Sequence, residues 1–293
     1  MSLNSIMSTA VSGMGVAQTG LSTVSDNIAN VNTPGYVRKI VEQSSSVTNG
    51  IGTGVMVAQI RRAADSYLQS ASLTASSTAG KSGAVADLLD QAQSLFGDPS
   101  SATNYFNQLN DVFNAFGAAA NDPASSLTRA QTLDKVTTFL DSTQRIASGM
   151  QAVSQQADTR ITSDVQQINQ LLSQIDALNT DITRSQASGG DATGSLDAQS
   201  QLIDKLSTLM DVKVQARTNG GVVLRTDTGV PLAGEGGPAT LDYLPSSGGP
   251  GQVTITQFGA TASQTLNVSS GELRGLLDVR NVQLPAVQDQ LGE

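Results

Sequence analysis

The first thirty residues constrain this chain most. Leu3, Met7, Ala10, Met14, Ala17, Leu21, Val24 and Ile28 recur with alternating spacings of four and three, and every position on that track is apolar. A mean repeat of about 3.5 gathers these side chains on one narrow stripe, the seam of a coiled coil rather than the broad face of a globular-domain helix. The same segment carries Gly13, Gly15 and Gly20, each costing about 1 kcal/mol relative to Ala in a helix interior, and many Ser and Thr of mediocre propensity. Alone it is expected to be mostly unfolded. Its large apolar side chains, buried against a partner, would contribute about 1.5–3 kcal/mol each and reverse that deficit. The residues thus predict a segment that folds on assembly; an ordinary helix packed on its own domain is the open alternative.

The run Asn30-Val31-Asn32-Thr33-Pro34-Gly35-Tyr36 ends this helix. Pro34 biases Thr33 away from the α region and donates no hydrogen bond, while Gly35 permits positive φ.

Composition removes whole classes of chemistry. The chain has no His and no Cys, so an imidazole base, a Ser-His-Asp triad, a catalytic thiolate, a zinc finger and an iron–sulfur cluster are all excluded. With 25 acidic against 16 basic residues and scattered basic positions, nothing offers a footprint for nucleic acid. No run of about 18 apolar residues spans a membrane, and the amino terminus lacks the basic and apolar regions of a cleaved signal peptide. Asp191, Asp197 and Asp204 are too widely spaced for a calcium loop and read as solvated acids; Arg61-Arg62 reads as a solvated pair. Asp87 and Asp90 are three apart on a helix, which suits a solvated face better than glycosidase chemistry. No catalytic, cofactor-binding or metal-binding residues are expected, no cofactor, and no enzyme.

Beyond the turn, Asn49-Gly50 in a Ser/Gly-rich stretch predicts a turn or hairpin acting as a connector. From Ala63 to Met210 the pattern is helical almost throughout. Leu88, Leu89, Ala92, Leu95 and Phe96 share one face, and Tyr105, Phe106, Leu109, Val112, Phe113 and Phe116 form an aromatic-rich face read as core. Asp122-Pro123 is read as the start of a helix whose stripe includes Leu127, Ala130, Leu133, Phe139 and Leu140. Only Gly149 interrupts residues 123–188, so one very long helix or two closely joined ones are expected, with Ile161, Val165, Ile168, Leu172, Ile175, Leu178 and Ile182 keeping the four-three rhythm. From Val212 the period becomes two: a hairpin about Asn219-Gly220 is followed by short strands near Leu232, 239–244, 253–255 and 266–268. Ser269-Ser270-Gly271-Glu272 reads as a capping box opening a last helix.

The fold class read from these patterns is mainly α: an elongated bundle of long helices with a small inserted β subdomain, α+β overall. Four segments are expected: 1–60, an assembly helix and connector disordered in the monomer; 61–210, an elongated helical domain; 211–268, the β subdomain; and 269–293, a helix returning to the helical domain.

The stretch Ala10-Val11-Ser12-Gly13-Met14, with Leu21 and the run from Ser25 to Tyr36, resembles the amino-terminal signature shared by bacterial flagellar rod, hook and hook-associated proteins. Residues 52–57, Ile60-Arg61-Arg62 and Asp65 to Leu68 resemble the segment by which hook-associated proteins enter their first long helix. Val165 to Asn179 and Gly271 to Arg280, with Leu284-Pro285-Ala286, resemble more narrowly the members that join hook to filament. Ser200-Gln201 stands where such proteins carry a basic-acidic pair, so no ion pair is carried over there.

The resemblance implies a structural axial subunit that joins hook to filament by helical self-assembly. Implied partners are copies of itself in a ring or helical layer, the hook protein, a neighbouring hook-associated protein and an export chaperone, with neither nucleic acid nor membrane. The implied location is extracellular, on the flagellum, reached by type III export without a cleaved signal peptide. The family's carboxyl-terminal helix, partner of residues 3–28, is not found in the sequence, which reads as a chain truncated at that end. The assembly interface is expected at Leu3, Met7, Ala10, Met14, Ala17, Leu21, Val24 and Ile28 and at Asn30, Asn32, Pro34, Gly35 and Tyr36. The alternatives are a secreted binding module or adhesin, or another axial subunit of hook or distal rod.

Overall fold

The computed structural model describes residues 3–33, 35–48, 51–63, 66–101, 103–246 and 249–292. Helix α1 spans Leu3–Ala29; β1, Lys39–Thr48, and β2, Ile51–Arg62, form an antiparallel hairpin; α2 is Ser66–Ser94, α3 Tyr105–Asn121, α4 Ser126–Ala187 and α5 Thr193–Leu209. Strands β3 (Lys213–Ala216), β4 (Val222–Arg225) and β5 (Pro231–Ala233) make one sheet. Strands β6 (Thr240–Leu244), β7 (Gln252–Thr256) and β8 (Ser263–Thr265) make another. A last helical stretch comprises α6, Glu272–Asp278, a π-helical turn, Val279–Gln283, and α7, Leu284–Gly292. The chain is mainly α with small antiparallel sheets, as its periodicities predict.

Helix α4 is continuous over 62 residues, straight through Gly149. That glycine is packed for closeness: a Cβ there would meet Leu95 Cδ2 at 2.7 Å. Of the α4 stripe, Ile161, Val165, Ile168, Leu172, Ile175 and Ile182 are buried and Leu178 is half-buried.

Contacts gather the chain into two units, which do not follow the boundaries at 60, 210 and 268. One contains residues up to 77, 168–240 and 256–263; the other contains 78–167, 241–255 and 264 onward. In the first, Ile203 and Leu206 of α5, Met210 just after it, and Leu224 and Leu232 of the β3–β5 sheet are buried with the later α4 stripe. Asn179 on α4 ties these layers. Its amide Nδ2 donates to Val222 O at 3.0 Å, and its Oδ1 accepts from Val222 N at 2.7 Å and from Gln199 Nε2 at 2.9 Å. In the second unit, Leu88 of α2, Met150 and Ala157 of α4, Leu241, Val253 and Ile255, and Leu273, Leu276 and Leu284 form the core.

The segment that resembles the entry to the first long helix is itself a strand, β2, with ladder partners in β1 from Lys39↔Arg62 to Thr48↔Ile51, and α2 begins after it at Ser66. Several local expectations are corrected. Asp122 closes α3 instead of opening α4; Ser125 Oγ accepts from Thr128 N at 3.3 Å and caps α4. Gly271, at φ +89°, precedes α6 in place of Ser269, and Glu272 turns away to Arg160 at 2.6 Å rather than completing a capping box. Leu266 and Val268 are buried, but the strand lies at Ser263–Thr265. The Asn49-Gly50 turn lies outside the described residues. The aromatic face of α3 is only partly core. Tyr105 stacks on Phe139 of α4 and Val112 is buried, whereas Phe106, Phe113 and Phe116, with Leu127, Leu133 and Leu140 of α4, are exposed. Where two helices pair, each covers one face of the other, and a second apolar face is left over.

Candidate functional site

Helix α1 has two faces of the same period and opposite chemistry. Thr9, Ser12, Val16, Thr23 and Asn27 follow spacings of three, four and seven and turn toward the β1–β2 hairpin. Val16 and Thr23 are buried. Thr9 Oγ1 donates to Thr53 O at 3.4 Å, and Val55 N donates to Ser12 Oγ at 3.2 Å. This approach requires Gly54: its φ is +138°, and a Cβ there would lie 2.1 Å from Ser12 Oγ. At the far end, Asn27 pairs with the backbone of Lys39 like a neighbouring strand. Its Nδ2 donates to Lys39 O at 2.9 Å and its Oδ1 accepts from Lys39 N at 2.8 Å. Side-chain amides can satisfy an open strand edge in this way because each carries both a donor and an acceptor.

The predicted seam lies on the remaining surface. Leu3, Met7, Ala10, Met14, Ala17, Leu21, Val24 and Ile28 are all exposed, Leu3 at 76% and Ile28 at 69%, and Ile6 and Val11 widen the exposed apolar surface. Contiguous apolar surface of this kind marks an interaction site in soluble proteins.

The turn that follows is anchored. Asn30 Nδ2 donates back to Asp26 O at 3.0 Å, and Thr33 Oγ1 donates to Asn30 Oδ1 at 3.3 Å. Asn32 is exposed, and Pro34 lies outside the described residues. Gly35 has φ +77°, and a Cβ there would meet Gln201 Cγ at 2.8 Å, so this turn presses directly on α5. Tyr36 OH donates to Asn27 Oδ1 at 2.9 Å, and Lys39 Nζ lies 5.5 Å from the Tyr36 ring centre.

Beneath the turn is an ion cluster that local reading misses. Asp197 of α5 takes Lys39 Nζ at 3.3 Å and Arg62 Nε at 3.0 Å, and Arg62 Nη2 donates to Ser200 Oγ at 2.9 Å. Neither Asp197 nor Arg62 is a solvated surface charge. Burial lowers the Arg62 guanidinium, against the raising effect of Asp197; burial raises the Asp204 carboxyl, against Arg62. Nothing local signals this cluster, because Arg62 and Asp197 are remote in sequence. The polar stripe Thr9 to Asn27 is locally visible, having the seam's own rhythm one-half turn away. Among the described residues no group of three or more His, Cys, Asp or Glu is placed to hold a metal, and no helix is long and apolar enough to cross a membrane. The arrangement offers packing surface, with its helix held in a set direction by amide and ion-pair clamps.

Residues 89–293 match the family described as flagellar hook-associated protein FlgK helical domain, and residues 7–36 match the flagella basal body rod protein family. The chain is similar to flagellar hook-associated protein 1 of Escherichia coli, with 24% identity over 99% of this chain and 55% of that protein. It is likewise similar to the protein of the same name in Salmonella typhimurium, with 26% identity over 99% of this chain and 54% of that one. The corresponding protein of Bacillus subtilis is 26% identical over 76% of this chain and 46% of its own length. The chain thus spans about half the length of the curated relatives it matches. The fold is similar to that of the flagellar hook junction protein FlgK from Burkholderia pseudomallei, with a TM-score of 0.64 and 23% identity over 78% of this chain and 41% of that one.

Proposed function

The chain belongs to the family of flagellar hook-associated proteins that carry the FlgK helical domain, and on that premise we propose that it is a structural axial subunit joining hook to filament by helical self-assembly. The observation that carries this reading is the exposed seam. An isolated protein gains nothing from leaving Leu3, Met7, Met14, Leu21, Val24 and Ile28 in water, whereas neighbouring subunits that cover them recover about 1.5–3 kcal/mol for each side chain fully buried. The assembly surface comprises those residues with Ala10 and Ala17, and the turn Asn30, Asn32, Pro34, Gly35 and Tyr36 sets where the assembly helix ends.

Its partners in this reading are copies of itself in a ring or helical layer, the hook protein and a neighbouring hook-associated protein. An export chaperone accompanies it before assembly. It acts outside the cell at the hook–filament junction, exported by the flagellar type III route with no cleaved signal peptide. Self-assembled axial structures need no turnover, which agrees with a chain that has neither His nor Cys.

The test is removal of the gene followed by electron microscopy of the flagella. Hooks without filaments, restored by the wild-type gene but not by one carrying Leu21→Asp and Ile28→Asp, are expected. Normal filaments in the deletion strain would reject the junction role and favour a secreted binding module.

A further inference from the structure

Asp164 sits on α4 one turn beyond Arg160, is 7% exposed, and has an Oδ2 sealed from solvent with no hydrogen-bond partner. A buried carboxylate without such partners is costly. The charges that act on it are Glu272 of α6 and Arg160 of α4, and the neighbouring charges on α2, α4, α6 and the π-helical turn are paired among themselves. Arg160 gives its Nη2 to Glu272, the first residue of α6, at 2.6 Å and its Nη1 to Asp87 of α2 at 3.5 Å. Lys81 of α2 and Arg274 of α6 are engaged with Asp278, at 3.1 and 2.8 Å, and Asp158 of α4 with Arg280 at 2.7 Å. Three carboxylates therefore draw on one guanidinium, and the most buried of them has no hydrogen bond from it. The junction has little slack, since a Cβ on Gly275 of α6 would lie 2.5 Å from Lys81 O of α2.

We propose that Asp164 is a proton-operated latch for the first turn of α6. As a neutral acid it leaves Arg160 to Glu272, and α6 stays closed on α4. As a carboxylate it competes for Arg160 and repels Glu272, and that turn loosens. Burial first, and the Glu272 charge second, push the Asp164 carboxyl up to about 7, against the lowering effect of Arg160. Released from the junction, the group returns to its ordinary value of about 4. Closure is thus complete below about pH 4, weakens as pH rises from there to about 7, and is level above that.

The test uses the full chain. Amide exchange at Gly275 to Asp278, corrected for the intrinsic rate, is compared at pH 5 and pH 7.5. The unsubstituted protein is expected to open at least about tenfold more at the higher pH, and Asp164→Asn to stay closed at both. The same pH dependence in Asp164→Asn, or none in the unsubstituted protein, overturns the proposal. Because the variant could fail to fold, the Asp164 side-chain carboxyl is also titrated by carbon-13 NMR in the unsubstituted protein. A midpoint near 7 supports the latch, and one in the ordinary aspartate range overturns it.

Discussion

The stripe Ile161, Val165, Ile168, Leu172, Ile175 and Ile182 on α4 and the stripe Leu3 to Ile28 on α1 repeat apolar residues at the same four-three spacing, yet the first is buried and the second is exposed. Periodicity states that a stripe is built to be covered; it does not name the cover. For α4 the cover is supplied within the chain by the remaining helices and the small sheets. For α1 the chain covers the other face, with a short polar stripe, and leaves the apolar one outward. Both helices use an asparagine as the clamp to a strand: Asn179 holds both backbone groups of Val222, and Asn27 those of Lys39. The clamps differ in depth, since Asn179 is buried and Asn27 only half-buried.

The comparison breaks most visibly in the core. Ile175→Ala should cost about 2–5 kcal/mol, read as a fall in the urea midpoint, because a fully buried side chain leaves a cavity. A loss below about 1 kcal/mol would mean that the α4 stripe is not the core. Asn179→Ala comes next, at about 1–3 kcal/mol, because it strands the N–H and C=O of Val222 away from water. Asn27→Ala should cost less than Asn179→Ala in the same assay, and equal losses would erase the distinction in depth.

Gly54→Ala sharpens the comparison from the other side. It strains a positive φ and drives a methyl into Ser12, so the amides of α1 should exchange faster while those of α4 remain unchanged. Ser12→Gly in the same chain should restore part of the protection; unchanged α1 exchange in Gly54→Ala would show that the helix does not rest on the hairpin. The smallest effect belongs to Leu21→Ala, expected within about 0.5 kcal/mol of the parent in the urea midpoint, since Leu21 is exposed. Its consequence should lie in assembly, as a lower yield of filament-bearing hooks.

Much of the secondary structure is legible in local residues. The strand period from Val212 and the end of α1 near Asn30 each follow from a pattern only a few residues long, whereas the sequence leaves open whether one helix or two closely joined ones pass Gly149. Local reading fails where a partner is remote. Arg61-Arg62 looks like a solvated pair until Asp197 arrives against Arg62, and Glu272 looks like a capping residue until Arg160 claims it. Phe106, Phe113 and Phe116 look like core because their spacing is apolar and regular, and they lie exposed because α3 and α4 cover only one face of each other.

The residues alone determined that this chain is mainly helical, that it carries no imidazole or thiolate chemistry, and that its first helix bears an apolar stripe at four-three spacing. Tertiary structure decided which face of that helix the chain keeps for itself, which acids and bases are drawn out of water, and how the four expected segments regroup into two units. The reason is one of range. Helical and strand periods are set by backbone geometry over a few residues, whereas burial and ion pairing depend on which distant segment occupies the space beside each side chain.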